Sequence, residues 1–352
     1  MKDLLVGFRA KLVAMTALLV LSATNVLFAQ KVAIIDAGSS GSRLYVYNIG
    51  DTKVDLLYPI GAEQKAASKG RALSSIVNHE DSVRVFLESM TAKYRGDDID
   101  LYVLATAGMR LKPKAHADSI YDKMKSVSVN GYEVQEAMTI SGQYEGLYGW
   151  LAANYDAGKL KISTDDEQKT LMYTSKPCGI LEIGGASMQL AFQSEELNAD
   201  CLVRPGLSYI YSKSYLGGGV DQIFQNTKKG KRGYKFHLDL KNVSKLYGPD
   251  ASFWGLGIPV NRVLEGIDAQ THKNSYRQKI KAYIRSLNDY TDTKENYHPR
   301  INSHYVKWVS HHLKLDEKLE SPEKDSSWTM GAAIDIMVYK EAPEEFDHQN
   351  HN

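Results

Sequence analysis

Short apolar runs that end in glycine and serine punctuate the start of the chain and return in its middle. Val32-Ala33-Ile34-Ile35 enters Asp36-Ala37-Gly38-Ser39-Ser40-Gly41-Ser42, and Leu44-Tyr45-Val46-Tyr47 follows. The same order recurs as Gly179-Ile180-Leu181-Glu182-Ile183-Gly184-Gly185-Ala186-Ser187, with Leu190-Ala191-Phe192 behind it. Each copy reads as strand, tight turn, strand. Helical spacing over residues 79–95 sets Val83, Phe86, Leu87, Met90 and Tyr94 on one face, and over 113–126 does the same for Ala117, Ile120, Tyr121 and Met124. Residues 99–105 read as a buried strand that runs into Thr106-Ala107-Gly108-Met109-Arg110. Ser141 suits an N-cap, which puts Glu145 in the first turn of the next helix. Helices are also expected over 275–290 and 326–340, and loops over 61–75 and 217–219. This alternation predicts an α/β fold in two halves of similar plan.

At 352 residues the chain is longer than one hydrophobic core usually supports, so two domains are expected. A formal charge of +1 gives no bulk attraction for nucleic acid. Lys2, Arg9 and Lys11 precede or flank an apolar core over 12–23, and Ala29 follows Leu27 and Phe28. Residues 1–29 therefore read as a signal peptide cut near Ala29-Gln30, leading to a secreted or periplasmic protein with no stable membrane anchor after cleavage. The alternative is an uncleaved anchor, for which the run is short and interrupted by Ser22, Thr24 and Asn25. Cys178 and Cys201 are the two cysteines. In an oxidising compartment a disulfide between them is expected, worth about 3 kcal/mol; the alternative is two separate thiols.

The chemistry lies in the turns. Glycine lets backbone approach a ligand closely, and successive N–H groups in such a turn favour anions. Asp36 and Glu182, at the strand ends, would repel a phosphate unless a divalent cation bridged to it. Two such hairpins facing one another would clamp a polyphosphate. Glu145 would serve as general base toward a water; the plainer reading is a carboxylate at the positive end of a helix. Lys228, Lys229, Lys231, Arg232 and Lys235 read as a solvated hairpin tip, or else as a docking patch for an anionic surface. His311, His312, His348 and His351 are not expected to be ligands.

Read together, Asp36 through Arg43, Ala105 through Arg110, Ser141 through Gly146, Gly184 through Gln189 and Trp328-Thr329-Met330-Gly331-Ala332 resemble the five conserved regions of the apyrases, or nucleoside triphosphate diphosphohydrolases, in the right order. Ser214 through Gln222 also resembles a segment of that family. The resemblance implies a two-lobed actin/sugar-kinase-like (RNase H-like) α/β fold with the active site in the inter-domain cleft. The domains are expected at 30–145 plus 328–340 and at 146–327, with a disordered tail over 341–352. It implies hydrolysis of nucleoside tri- and diphosphates to the monophosphate with Ca²⁺ or Mg²⁺. By motif position Glu145 would be the base, Ser187 and Gln189 would hold the attacking water, and Thr106 and Ala107 would line the reaction site. Ser39, Ser40, Gly41, Ser42, Arg43, Gly184, Gly185 and Ala186 would bind phosphates, and Asp36 and Glu182 would hold the water shell of the metal. Glu182 stands where the family usually has Asp, Met188 where Thr is common, and Gly41 where many animal members carry a bulkier residue. No obligate partner is indicated, so a monomer is expected. The rivals are an exopolyphosphatase of the same superfamily and a non-catalytic nucleotide-binding module.

Overall fold

A computed structural model of the chain describes residues 30–60, 70–165, 168–228, 240, 242–273, 275–287, 299–324, 326–340 and 345–346. The expected signal peptide, and the basic run beyond Lys228, lie outside the described residues.

Two sheets carry the architecture. The first contains β1 (Gln30–Gly38), β2 (Gly41–Ile49), β3 (Val54–Tyr58), β4 (Ile99–Ala105) and β5 (Tyr132–Thr139) in the order β3-β2-β1-β4-β5. β1 and β4 run parallel, with Asp36 opposite Leu104, and β4 and β5 run parallel beside them. The second contains β8 (Gly179–Ile183), β9 (Ser187–Gln193), β10 (Cys201–Leu202), β11 (Ile210–Leu216), β12 (Phe253–Leu256) and β13 (Leu319–Glu320) in the order β10-β11-β9-β8-β12-β13. There β8 and β9 are antiparallel while β8, β12 and β13 are parallel. The repeated hairpins thus hold equivalent places, β1–β2 in one sheet and β8–β9 in the other. A separate two-stranded ribbon pairs β6 (Leu160–Asp165) with β7 (Gln168–Tyr173).

Period-two alternation decides what each strand face meets. On β1, Ala33 and Ile35 join one apolar cluster with α1 (Glu80–Thr91) and α3 (Lys114–Lys125). Val32 and Ile34 join another with α4 (Gly142–Asp156) and α9 (Trp328–Tyr339). That second cluster also takes in Ile180, Ala191 and Ile210 from the second sheet, so α4 and α9 are sandwiched between the sheets. The far face of the second sheet, with Leu181, Leu190 and Phe192, packs on α6 (Ile258–Asp268), α7 (Tyr276–Ser286) and α8 (Pro299–His312). The remaining helices are the short α2 (Ala107–Arg110) and α5 (Val220–Lys228). Burial on all sides explains why α4 and α9 lack a polar stripe. Their axes approach closely: a Cβ on Gly331 would lie 1.9 Å from the Tyr148 carbonyl oxygen.

One expectation needs correction. Cys178 and Cys201 are not bonded to each other. Cys178 immediately precedes β8, three strands from β10, which is roughly 14 Å at the usual strand spacing and too far for a disulfide. The Cys178 thiol instead meets the Ser252 hydroxyl at 3.1 Å. Beyond β4, which ends at Ala105 as expected, the chain turns into α2 at once. Two residues of the expected tail are among the described residues: Glu345 forms a bridge with Ile140, and Phe346 is buried.

Candidate active site

Both hairpin turns open on one cleft of about 1690 Å³, counting its mouth. Its walls include Asp36, Ser39, Ser40, Gly41 and Arg43 from the first hairpin, and Glu182, Gly184, Gly185, Ala186 and Ser187 from the second. Thr106, Ala107, Glu145, Asp221 and Trp328 also line it. Gly41 sits at φ 149°, a conformation that favours glycine and swings the chain from β1 into β2. The turns come close to each other: a Cβ on Gly185 would lie 2.8 Å from Ser39 Oγ and 2.7 Å from Asp221 Oδ2.

Glu145 is held from three directions. Ser141 caps α4 by accepting the Tyr144 N–H, which fixes the first turn on which Glu145 rides. Arg110 Nη2 donates to Glu145 Oε2 at 2.7 Å, and both side chains are buried. Gln189 Nε2 donates to the same oxygen at 2.9 Å and also approaches Ser187 Oγ at 2.7 Å and Ser214 Oγ at 3.1 Å. Glycine makes this crowding possible. A Cβ on Gly142 would lie 2.5 Å from Ser214 Oγ and 3.2 Å from Arg110 Nη1, and one on Gly146 would lie 2.5 Å from Ser212 Oγ.

Asp36 sits at the bottom of the cleft, half-buried. Burial pushes its carboxyl up to about 7; Arg43 opposes the rise, the Glu145 charge adds to it, and a hydrogen bond from the Trp328 side chain opposes it. A divalent cation would favour the ionised form. The cleft offers oxygen donors of the kind Ca²⁺ and Mg²⁺ prefer, carboxylates and hydroxyls, and among the described residues no Cys or His lines it. Among the described residues no three His, Cys, Asp or Glu side chains gather into a cage. A cation here would therefore take its other ligands from water and phosphate, a coordination habit that suits Mg²⁺. The residues present fit the group.

The structure therefore brings together nearly all of the residues singled out from sequence. Ser42 is the exception: it is fully buried on the other face of β2, and its hydroxyl donates to the Arg71 carbonyl at 2.9 Å. Gln189 lies behind the wall, reaching the cleft only through Glu145 and Ser187. Sequence reasoning did not assign roles to Arg110, Ser214, Asp221 or the side chain of Trp328. A cation inside the small-residue run ending at Arg110 was the available signal for the first.

The fold is that of the actin/sugar-kinase-like enzymes. A nucleoside triphosphate hydrolase from Neospora caninum superposes with a TM-score of 0.54 at 12% identity, covering 94% of this chain and 97% of that one. A Ppx/GppA family member from Aquifex aeolicus gives 0.52 at 16% identity, covering 89% and 99%. Residues 25–230 match the GDA1/CD39 (nucleoside phosphatase) family, and the chain belongs to it. It is 31% identical over 264 residues to ectonucleoside triphosphate diphosphohydrolase 1 of Bos taurus, covering 65% of this chain and 49% of that protein. It is 33% identical over 204 residues to probable apyrase 5 of Arabidopsis thaliana, covering 53% and 40%. The chain thus spans about half, or less, of the length of these curated relatives.

Proposed function

We propose that the protein hydrolyses the terminal phosphates of nucleoside tri- and diphosphates to the monophosphate. The observation that carries this reading is a buried carboxylate, Glu145, set beside two glycine-lined turns that close on one cleft. Glu145 takes a proton from a water, the water oxygen bonds to the terminal phosphorus, and the anhydride P–O bond breaks with its electron pair leaving on the shortened nucleotide. Ser187 orients the water and Gln189 fixes both Ser187 and Glu145. Backbone N–H groups around Ser39–Gly41 and Gly184–Ala186, with Arg43, receive the phosphate chain. Thr106 and Ala107 wall the reacting end. Such alignment, with charge stabilisation, is the main requirement of phosphoryl transfer. Ca²⁺ or Mg²⁺, when bound, supplies neutralisation of phosphate charge, and Asp36 and Glu182 are the residues to retain it through water.

On the same reading, residues 30–145 with 328–340 form one lobe and 146–327 the other. The leader-like pattern of residues 1–29 supports a secreted or periplasmic location for the activity. Among the described residues no helix is long and apolar enough to cross a membrane.

Phosphate release from ATP, ADP and polyphosphate, with Ca²⁺ or Mg²⁺ and with EDTA, tests the proposal. Metal-dependent release from both nucleotides supports it. Release from polyphosphate alone assigns the cleft to exopolyphosphate hydrolysis, and nucleotide binding without release to a non-catalytic role.

A further inference from the structure

The pair Arg110–Glu145 is covered by a residue far along the chain. Phe346 is 6% exposed, and its ring lies 5.9 Å from the Arg110 guanidinium carbon, within cation–π range. Its backbone N–H donates to the Thr139 carbonyl at 2.8 Å, and Glu345 bridges Ile140. Arg110 in turn donates from Nε to the Ile140 carbonyl at 3.0 Å. Residues 139–141 form the junction from β5 into α4, and Ser141 is the cap of the helix that bears Glu145. Phe346 therefore meets the Glu145 setting twice, once through the guanidinium and once through the backbone that launches α4.

The guanidinium has a particular need of that ring. Nη2 is bound to Glu145 and Nε to Ile140, while Nη1 is buried with no hydrogen-bond partner among the described residues. A buried cation nitrogen without an acceptor is costly. The π face over the guanidinium offsets part of that cost and closes Arg110 to water. Lys114 secures the neighbouring position by an ion pair with Glu345 at 3.0 Å, exposed and of small worth.

We infer that Phe346 is a positioning residue for Glu145, holding Arg110 so that its Nη2 fixes one carboxylate oxygen and leaves the other to water. The inference rests on the proposed role of Glu145 for its kinetic consequence, but the contact itself can be read without substrate.

The experiment compares full-length protein with Phe346→Ala, Phe346→Leu and Phe346→Tyr. Two readouts are taken well below the thermal midpoint of each: phosphate release from ATP, and solvent exchange of the Arg110 Nε–H resonance by NMR. The expected result for Ala and Leu is kcat lower by about three- to thirty-fold, the span of a cation–π contact, with KM for ATP within about two-fold. The same variants exchange the Arg110 Nε–H faster, and Phe346→Tyr restores both properties. Wild-type values in Phe346→Leu for both readouts overturn the inference, because leucine keeps the apolar cover and lacks the π face. Should Phe346→Ala fail to fold, the comparison of Leu with Tyr decides alone. If wild-type protein releases no phosphate from any nucleotide, the functional reading falls, and the exchange measurement still decides whether Phe346 holds Arg110.

Discussion

Arg204 and Asp335 form a two-pronged ion pair across 131 positions of sequence, Nε to Oδ1 at 2.8 Å and Nη2 to Oδ2 at 3.1 Å. Asp335 is fully buried on α9, Tyr148 of α4 donates its hydroxyl to Oδ2 at 3.3 Å, and the guanidinium lies over the rings of Tyr144 and Tyr339. Breaking such a pair from one side strands the other charge in the interior. Asp335→Ala is expected to cost about 3–5 kcal/mol, read as a lower denaturant midpoint, while the double change Arg204→Met with Asp335→Leu costs less. An equal or larger loss in the double variant would refute that reading.

Glu145→Gln keeps the size and hydrogen-bonding reach of the side chain but cannot take a proton at neutral pH. A drop in kcat of about 10²–10⁴ is expected, with nucleotide binding retained. Equilibrium binding of a non-hydrolysable ATP analogue beside the activity assay separates the two effects.

Gln189→Glu puts a second carboxylate where Nε2 now donates to Glu145 at 2.9 Å. Replacing a donor by a like charge is expected to harm activity more than Gln189→Ala, which only removes the contact. The ratio of kcat values for the two variants is the measurement, and a ratio near one would show that the amide does not face Glu145 during turnover.

A Cβ on Gly108 would lie 2.7 Å from the Ser39 Cα and 3.2 Å from its nitrogen. Backbone cannot yield as a flexible side chain can, so Gly108→Ala must displace the first turn. KM for ATP is expected to rise at least several-fold while the thermal midpoint falls only modestly. Titration calorimetry with the ATP analogue checks it.

Asp36 sets a pH dependence. Its folded carboxyl titrates at about 7 against an ordinary value of 3.8, so between those values the folded chain holds more protons than the unfolded one. Stability from this group is therefore present at low pH and lost as pH rises toward 7. In EDTA the thermal midpoint of wild-type protein should fall across that window more steeply than that of Asp36→Asn. Adding Ca²⁺ or Mg²⁺ at pH 8 should raise the wild-type midpoint and leave the variant unmoved.

The hairpins were legible because strand alternation and glycine-serine turns are local signals. The helices α1 and α3 were legible for the same reason: each buries one face, with Val83, Phe86 and Met90 or Ile120 and Met124 at regular spacing. The burial of α4 and α9 on every side was not, since a helix between two sheets shows no stripe to read. Ser42 was misjudged because a one-residue step along a strand reverses the face, and the turn motif does not say where the strand begins. Arg110 binds Glu145 directly, Ser214 meets it through Gln189 and Phe346 through Arg110, from three distant places in the chain, and nothing in a linear pattern brings them together. The unformed disulfide has the same origin, as the separation of Cys178 from Cys201 is fixed by strand order.

The close crossing of Gly331 on Tyr148 bears on how the molecule comes into being. α4, with Glu145 on its first turn, needs α9 against it before its apolar surface is covered, yet roughly 180 residues must be made between them. At about 5–20 residues per second, that interval is on the order of ten to forty seconds. During synthesis the two glycine-rich turns and Glu145 therefore exist without the helix that seats them. A growing chain of this protein cannot bring α9 onto α4 until both have been made, so the framework beneath the cleft is completed only late in synthesis.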